Sequence, residues 1–179
     1  LGSACASTGS RVTTSELSRS DGTRATASPE VRIALRTRSG RRLEIIRRAA
    51  LGDDLATIEH LMLERTASHS RALAAAGAYT VSSGGKRLRA MLVLLSARLG
   101  AYDFERAARP AVAIELLHAA SLVHDDLVDH TMRRRGRVTV HTRWDQHVAL
   151  MLGDYFFALS AGELAAESDP RIIKFYADA

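Results

Sequence analysis

Cysteine is nearly absent from this chain. Cys5 stands alone, so no disulfide can form within it. That usage points to a reducing compartment, and the expected location is cytoplasmic. Aromatic residues make up only 5% of the chain, while Ala and Leu are abundant, a mix that leans towards helix. No uninterrupted apolar run reaches the roughly 20 residues a membrane-spanning helix needs, so no transmembrane segment is expected. No stretch alternates apolar and polar residues in the way a half-buried strand would, and no internal repeat is visible. What is present is an apolar content of 46%, ordinary for a chain that builds a core.

The net charge of +5 is unevenly spread. Residues 1–48 hold ten arginines and four acids, whereas the remainder holds fifteen basic and sixteen acidic residues. The basic excess therefore belongs to an N-terminal segment rich in Ser and Thr, without clear apolar periodicity before about Leu43. Residues 1–42 read as a disordered tail and residues 43–179 as the folded part. A nucleic-acid surface would need aromatic residues among its basic ones, and the tail has none, so no nucleic-acid partner is expected.

From Leu43 onward the pattern is helix after helix, and the expected fold class is all-α, an antiparallel helical bundle. Leu55, Ile58, Met62 and Leu73 lie on one apolar stripe with helical spacing. "SSGGK" interrupts it. "RLRAMLVLLSARLG" is apolar on nearly every side, which predicts a central helix ended by Gly100. Pro110 suits the first turn of a third helix running through "IELLHAASLVHDDLVD". "RRRGRVT" reads as a loop, and one or two further helices follow, with Gly153 inside. Asp169-Pro170 opens a last helical segment.

The chemistry concentrates in "SLVHDDLVDHTMRRRGRVTVH", residues 121–141. Asp125 and Asp129 are four apart and so share a helix face, with Asp126 to one side. Stacked acids near a helix C-terminus repel each other and oppose the helix dipole. A hard divalent cation relieves both penalties, and Mg²⁺ takes carboxylate oxygens while sharing its other positions with water and phosphate. Arg134, Arg135 and Gly136 follow as a flexible basic turn suited to phosphate oxygens. "GGKRLR", residues 84–89, is a second basic device. Lys86, Arg87 and Arg89 crowd the start of a helix, where cations are unfavourable unless an anion is bound. Two anion grips therefore flank one metal grip.

"GGKRLRA", "HAASLVHDDLVDH", "RRGRVTVH" and "GDYFFA" occur in that order, and through them the chain resembles the trans-isoprenyl (polyprenyl) diphosphate synthases over roughly residues 50–179. Ala90 and Val138 stand where that family has prolines, which would loosen the turns. The resemblance implies a helical bundle of the isoprenoid synthase type. It also implies a reaction: an allylic diphosphate condenses head to tail with isopentenyl diphosphate, giving a longer all-trans polyprenyl diphosphate and pyrophosphate. By the match, Asp125 and Asp129 bind Mg²⁺ with Asp126 near. Arg134 holds the allylic diphosphate. Lys86, Arg89, His118 and Arg135 hold isopentenyl diphosphate. His118 lies seven residues before Asp125, about two turns, and so can face the same cavity. Ala120 and Ser121, one turn before Asp125, are small and leave room for a long product. His124 reads as structural, and Trp144 as core. A homodimer is implied.

The family's second aspartate-rich motif is missing. After Asp154 only Asp169, Asp178 and isolated glutamates occur. The chain therefore reads as the N-terminal portion of a synthase, inactive by itself. Two alternatives stand: a non-catalytic subunit that pairs with a full synthase, or another class I terpene enzyme. The two arginine grips argue against the latter, which has no isopentenyl diphosphate to hold.

Overall fold

The structure is a computed structural model that describes Glu44, residues 50–166 and residues 169–178. The expected disordered segment 1–42 lies outside the described residues. Contacts divide the chain after Gly40, and all the described residues belong to the second unit, Arg41–Ala179.

The chain is a succession of helices, as its pattern predicts. Helix α1 (Gly52–Arg65) buries Leu55, Ile58 and Met62, with Asp53 and Asp54 at its positive end and Arg65 at its negative end. The expected single stripe through Leu73 is broken here. Thr66 closes α1 by donating its hydroxyl to Leu63 O. Ser70 then caps a new helix, α2 (Arg71–Ser82), by accepting from Leu73 N at 3.4 Å. Leu73 therefore belongs to α2. The break was hidden because residues on either side of it keep nearly the same helical phase.

Helix α3 (Leu88–Ala97) differs from expectation as well. It is not central: Ala90, Met91 and Leu94 are buried, but Leu88 is 45% and Leu92 60% exposed. Helix α4 (Phe104–Val128) is the long element, capped by Asp103 accepting from Arg106 N. It starts almost two turns earlier than Pro110 suggests. Pro110 is buried inside α4, where it removes one intrahelical bond, and its carbonyl accepts from the Tyr176 hydroxyl at 2.7 Å.

The segment read as a loop is an antiparallel ribbon, β1 (Arg133–Arg134) with β2 (Arg137–Val138). Arg135 and Gly136 form its two-residue turn, both with positive φ, 53° and 79°. Two consecutive left-handed residues are what a type I′ hairpin requires, and Gly136 meets that at no steric cost. A one-turn helix α5 (Val140–Arg143) leads to α6 (Gln146–Ala165), whose Asp145 cap accepts from Val148 N at 2.8 Å. Helix α7 (Pro170–Ala177) has Asp169 as its cap and Pro170 in its first turn.

Helices α4 and α6 lie against each other along most of their length. Small residues allow it: Ser160 donates to Ala113 O at 2.9 Å, and a methyl group on Gly153 would overlap the His124 ring. Val112, Leu116, Leu152 and Phe156 fill the interface, joined by Ile58 and Met62 from α1. Among the described residues, α6 is long and apolar enough to cross a membrane by length and composition. Asp154 and Glu163 lie within it, and its Ala149, Leu152, Gly153, Phe156, Ser160 and Glu163 are buried in the bundle.

Phe156 is fully buried at the centre of this interface. Phe156→Ala is expected to cost about 3–5 kcal/mol of folding stability, measured by urea unfolding. A loss below about 1 kcal/mol would mean that α4 and α6 do not share one cooperative core.

Candidate functional site

One face of α4 forms the wall of a cavity of about 430 Å³. Glu115, His118, Ala119, Leu122, Val123 and Asp126 line it, and their spacing follows one side of a helix. The opposite wall comes from the 84–87 loop, the start of α3 and the basic ribbon. Lys86, Arg89, His118, Arg134 and Arg135, five residues from three segments, thus meet at one cavity with Asp126. The other expected residues lie elsewhere. Asp125 and Asp129 are exposed on a neighbouring face of α4 and do not line the cavity. Ala120 is fully buried in the core. Ser121 is half-buried and donates its hydroxyl to His118 O at 2.9 Å.

The two basic devices touch. Arg135 Nη1 donates to Gly84 O, and its guanidinium lies close against Gly85, where a Cβ would have to displace it. Gly84 takes φ 74° to turn the loop. The ribbon is pinned from two further sides. Tyr79 donates its hydroxyl to Val138 O at 2.8 Å, and Arg134 Nε donates to Asp126 Oδ1 at 2.8 Å. Arg137 lies over the Tyr79 ring at 5.0 Å, and Trp144 meets the same ring edge-on at 5.4 Å.

The Asp126 pairing separates the three acids of the motif. Asp126 is 7% exposed and turned into the cavity towards Arg134. Among the described residues, no three His, Cys, Asp or Glu side chains converge into a metal-holding group. Asp125 and Asp129 nevertheless fit a hard cation. Both are exposed and, among the described residues, pair with no basic side chain, which leaves room for water and phosphate oxygens to complete the shell.

A second difference concerns the start of α3. Its first turn does not leave its amides open to an outside anion. Glu115 Oε1 already accepts from Arg89 N at 3.1 Å and from Ala90 N at 3.2 Å. Ala90, standing where the resembled family has proline, therefore adds a bond rather than loosening the turn, because proline has no N–H to donate. Arg87 is also not available to a ligand. It is buried, with Nε on Glu59 Oε1 at 3.0 Å and Nη2 on Val81 O at 2.7 Å. Glu115, Tyr79 and Arg137 do not stand out in the sequence as site residues. The one legible signal is at Glu115, a lone acid inside the apolar run "AIELL", which calls for a buried partner.

His124 packs as a structural residue. Its Nε2 lies 3.2 Å from Leu150 O and 3.5 Å from Asp154 Oδ1. The "HDD" and "GD" motifs are thus one contact, with Gly153 leaving space for the ring.

A family model described as Polyprenyl synthetase matches residues 70–179. Heptaprenyl diphosphate synthase component 2 of Geobacillus stearothermophilus is 45% identical over 121 residues, which is 68% of this chain and 38% of that protein. Geranylgeranyl diphosphate synthase of Saccharolobus solfataricus is 42% identical over 91 residues, 51% of this chain and 27% of the relative. Among solved structures, a decaprenyl diphosphate synthase from Rhodobacter capsulatus superposes with a TM-score of 0.70 at 34% identity, covering 76% of this chain and 42% of that one. The chain spans well under half the length of these relatives.

Burial holds the pKa of His118 below its ordinary value, and Arg89, Arg135 and Arg134 push the same way against an opposing Glu115. The unfolded chain therefore takes up a proton near pH 6.5 that the folded chain resists. His118 contributes its full stability above that pH, and loses it as pH falls from the unfolded value towards the lower folded one. Denaturation midpoints taken from about pH 8 to about pH 5.5 should fall more steeply for the wild type than for His118→Gln. Parallel profiles would mean that burial and the arginines together do not depress His118.

Proposed function

The chain belongs to the polyprenyl synthetase family, and from that premise we propose that it provides the substrate-binding wall of a prenyltransferase that lengthens an allylic diphosphate with isopentenyl diphosphate. The observation that carries this reading is the meeting of Lys86, Arg89, His118, Arg134 and Arg135 at one cavity whose α4 wall adjoins Asp125 and Asp129.

The roles divide by face. Lys86, Arg89 and Arg135 hold the diphosphate of isopentenyl diphosphate, and neutral His118 adds a hydrogen bond from the cavity wall. Arg134 lines the cavity on Asp126, next in sequence to Asp125, and holds the allylic diphosphate. Asp125 and Asp129 would hold Mg²⁺, which when bound supplies Lewis-acid stabilisation of the pyrophosphate leaving group. The allylic C–O bond breaks with its electron pair on the leaving oxygen. The double bond of isopentenyl diphosphate then forms the new C–C bond, and an adjacent C–H bond breaks to restore a double bond, its proton passing to the released pyrophosphate. The exposed basic groups keep the released charge bound, which is electrostatic stabilisation of the developing anion. Asp126 acts through Arg134 rather than as a metal ligand.

The product pocket runs beside Ser121 rather than Ala120. Ser121 lies one turn below Asp125 on the same side of α4, whereas Ala120 is closed into the core. Ser121→Phe is expected to shorten the product, and Ala120→Phe to destabilise the fold by overpacking.

A second reading, a subunit that works with another chain, is favoured by one observation: a relative at 45% identity is named as component 2 of its synthase. The two readings separate in a condensation assay with radiolabelled isopentenyl diphosphate, run on the chain joined to the C-terminal part of a family relative that carries a second aspartate-rich motif, and on the chain with cell extract fractions added. Turnover by the joined protein supports the first, and turnover only on addition of the fractions supports the second. In whichever preparation is active, Asp125→Ala should lower turnover by at least about a hundredfold. Near-normal turnover would remove Asp125 from the metal site.

A further inference from the structure

We propose that Glu115 is a positioning residue that builds the isopentenyl diphosphate grip; the proposal rests on the functional reading above. Lys86 and Arg89 are exposed at the cavity, and Arg87 between them is buried. That alternation depends on an unusual backbone. Arg87 has φ 43°, the left-handed region that a side chain with a Cβ rarely adopts. It is also the N-cap of α3, without any side-chain cap of its own. Something must hold it there.

Glu115 supplies that hold from α4. Its Oε1 takes the Arg89 and Ala90 amides, and its Oε2 lies 3.8 Å from Arg87 Nη1. Glu115 is 4% exposed, so its charge acts within the protein. It does three things at once. It caps orphan amides of α3. It offsets the positive helix end that would otherwise repel Lys86 and Arg89. It draws the Arg87 guanidinium inward, which turns its two basic neighbours outward. Glu59 and Val81 O complete the seat of Arg87. The grip on the loop and α3 is thus preformed from α4, and Glu115 acts through Arg87 and the α3 amides.

The test compares wild type, Glu115→Gln and Glu115→Ala. Gln keeps an oxygen for the two amides and loses the charge facing Arg87, while Ala loses both. In the condensation assay, KM for isopentenyl diphosphate should rise at least about tenfold for Ala and less for Gln, the size expected for a lost charged hydrogen bond. Turnover number and KM for the allylic substrate should stay near wild type. A fall in turnover with both KM values unchanged marks a merely structural role and overturns the proposal. A metal-free titration with inorganic pyrophosphate gives a readout independent of the reaction. Without divalent ions the aspartate face does not contribute, so the basic cavity is what binds. Weaker binding in the order wild type, Gln, Ala supports the positioning role even if no prenyl transfer is found. Equal affinities refute it even if transfer is found. If Glu115→Ala does not fold, Glu115→Gln alone decides by the same two readouts.

Discussion

An α-helix turns about 100° per residue, and α4 is long enough for that period to sort its polar side chains into separate faces. Glu115, His118, Leu122 and Asp126 fall on the cavity side. Half-buried Ser121 and exposed Asp125 and Asp129 fall on an adjacent side. His124 falls on a third, against Gly153 of α6. Every basic group in the site is aligned to the first of these faces, and the exposed carboxylates to the second. A one-residue shift anywhere in α4 would rotate all of them together, so the bundle packing that fixes α4 also fixes the site. Ala113, Leu116 and Val112 against Ser160, Leu152 and Phe156 are what prevent that rotation.

The four motifs are joined by direct contacts. "HDD" meets "GD" through His124 and Gly153. "GGK" meets "RRG" through Gly84 and Arg135. "HDD" meets "RRG" through Asp126 and Arg134. Each pair is separated in sequence and adjacent in space. At Gly153 a side chain would overlap the His124 ring, and at Gly85, next to Gly84, it would displace the Arg135 guanidinium.

Helix content was legible from periodicity, because it depends on local chemistry. Lys86, Arg89, His118, Arg134 and Arg135, singled out through the resemblance, line one cavity, whereas Asp125, Asp129, Ala120 and Ser121 do not. What was not legible depended on tertiary partners. The division of Arg87 from Arg89 follows from where Glu59, Val81 O and Glu115 lie, and nothing in "GGKRLR" distinguishes the two. Asp126 is grouped with Asp125 and Asp129 in the sequence, and its bond to Arg134 could not be read there because it depends on the ribbon folding back onto α4. The ribbon itself is hidden because two-residue strands are too short to show alternation, although Arg135-Gly136 carries the backbone freedom a tight hairpin needs. The end of α1 is hidden because hydrophobic phase continues across the break, while the signal lies in the Ser70 cap.

A ribbon of two residues a side has little stability of its own. It is held in position by the Asp126 carboxylate, the Tyr79 hydroxyl and the Gly84 carbonyl. Two of those three bonds are made by Arg134 and Arg135, the groups a diphosphate would claim. Under the proposed reading, diphosphate uptake at this face would be an exchange, with bonds inside the protein replaced by bonds to the ligand. Its heat would be a difference between two well-bonded states, smaller than a count of new contacts would suggest.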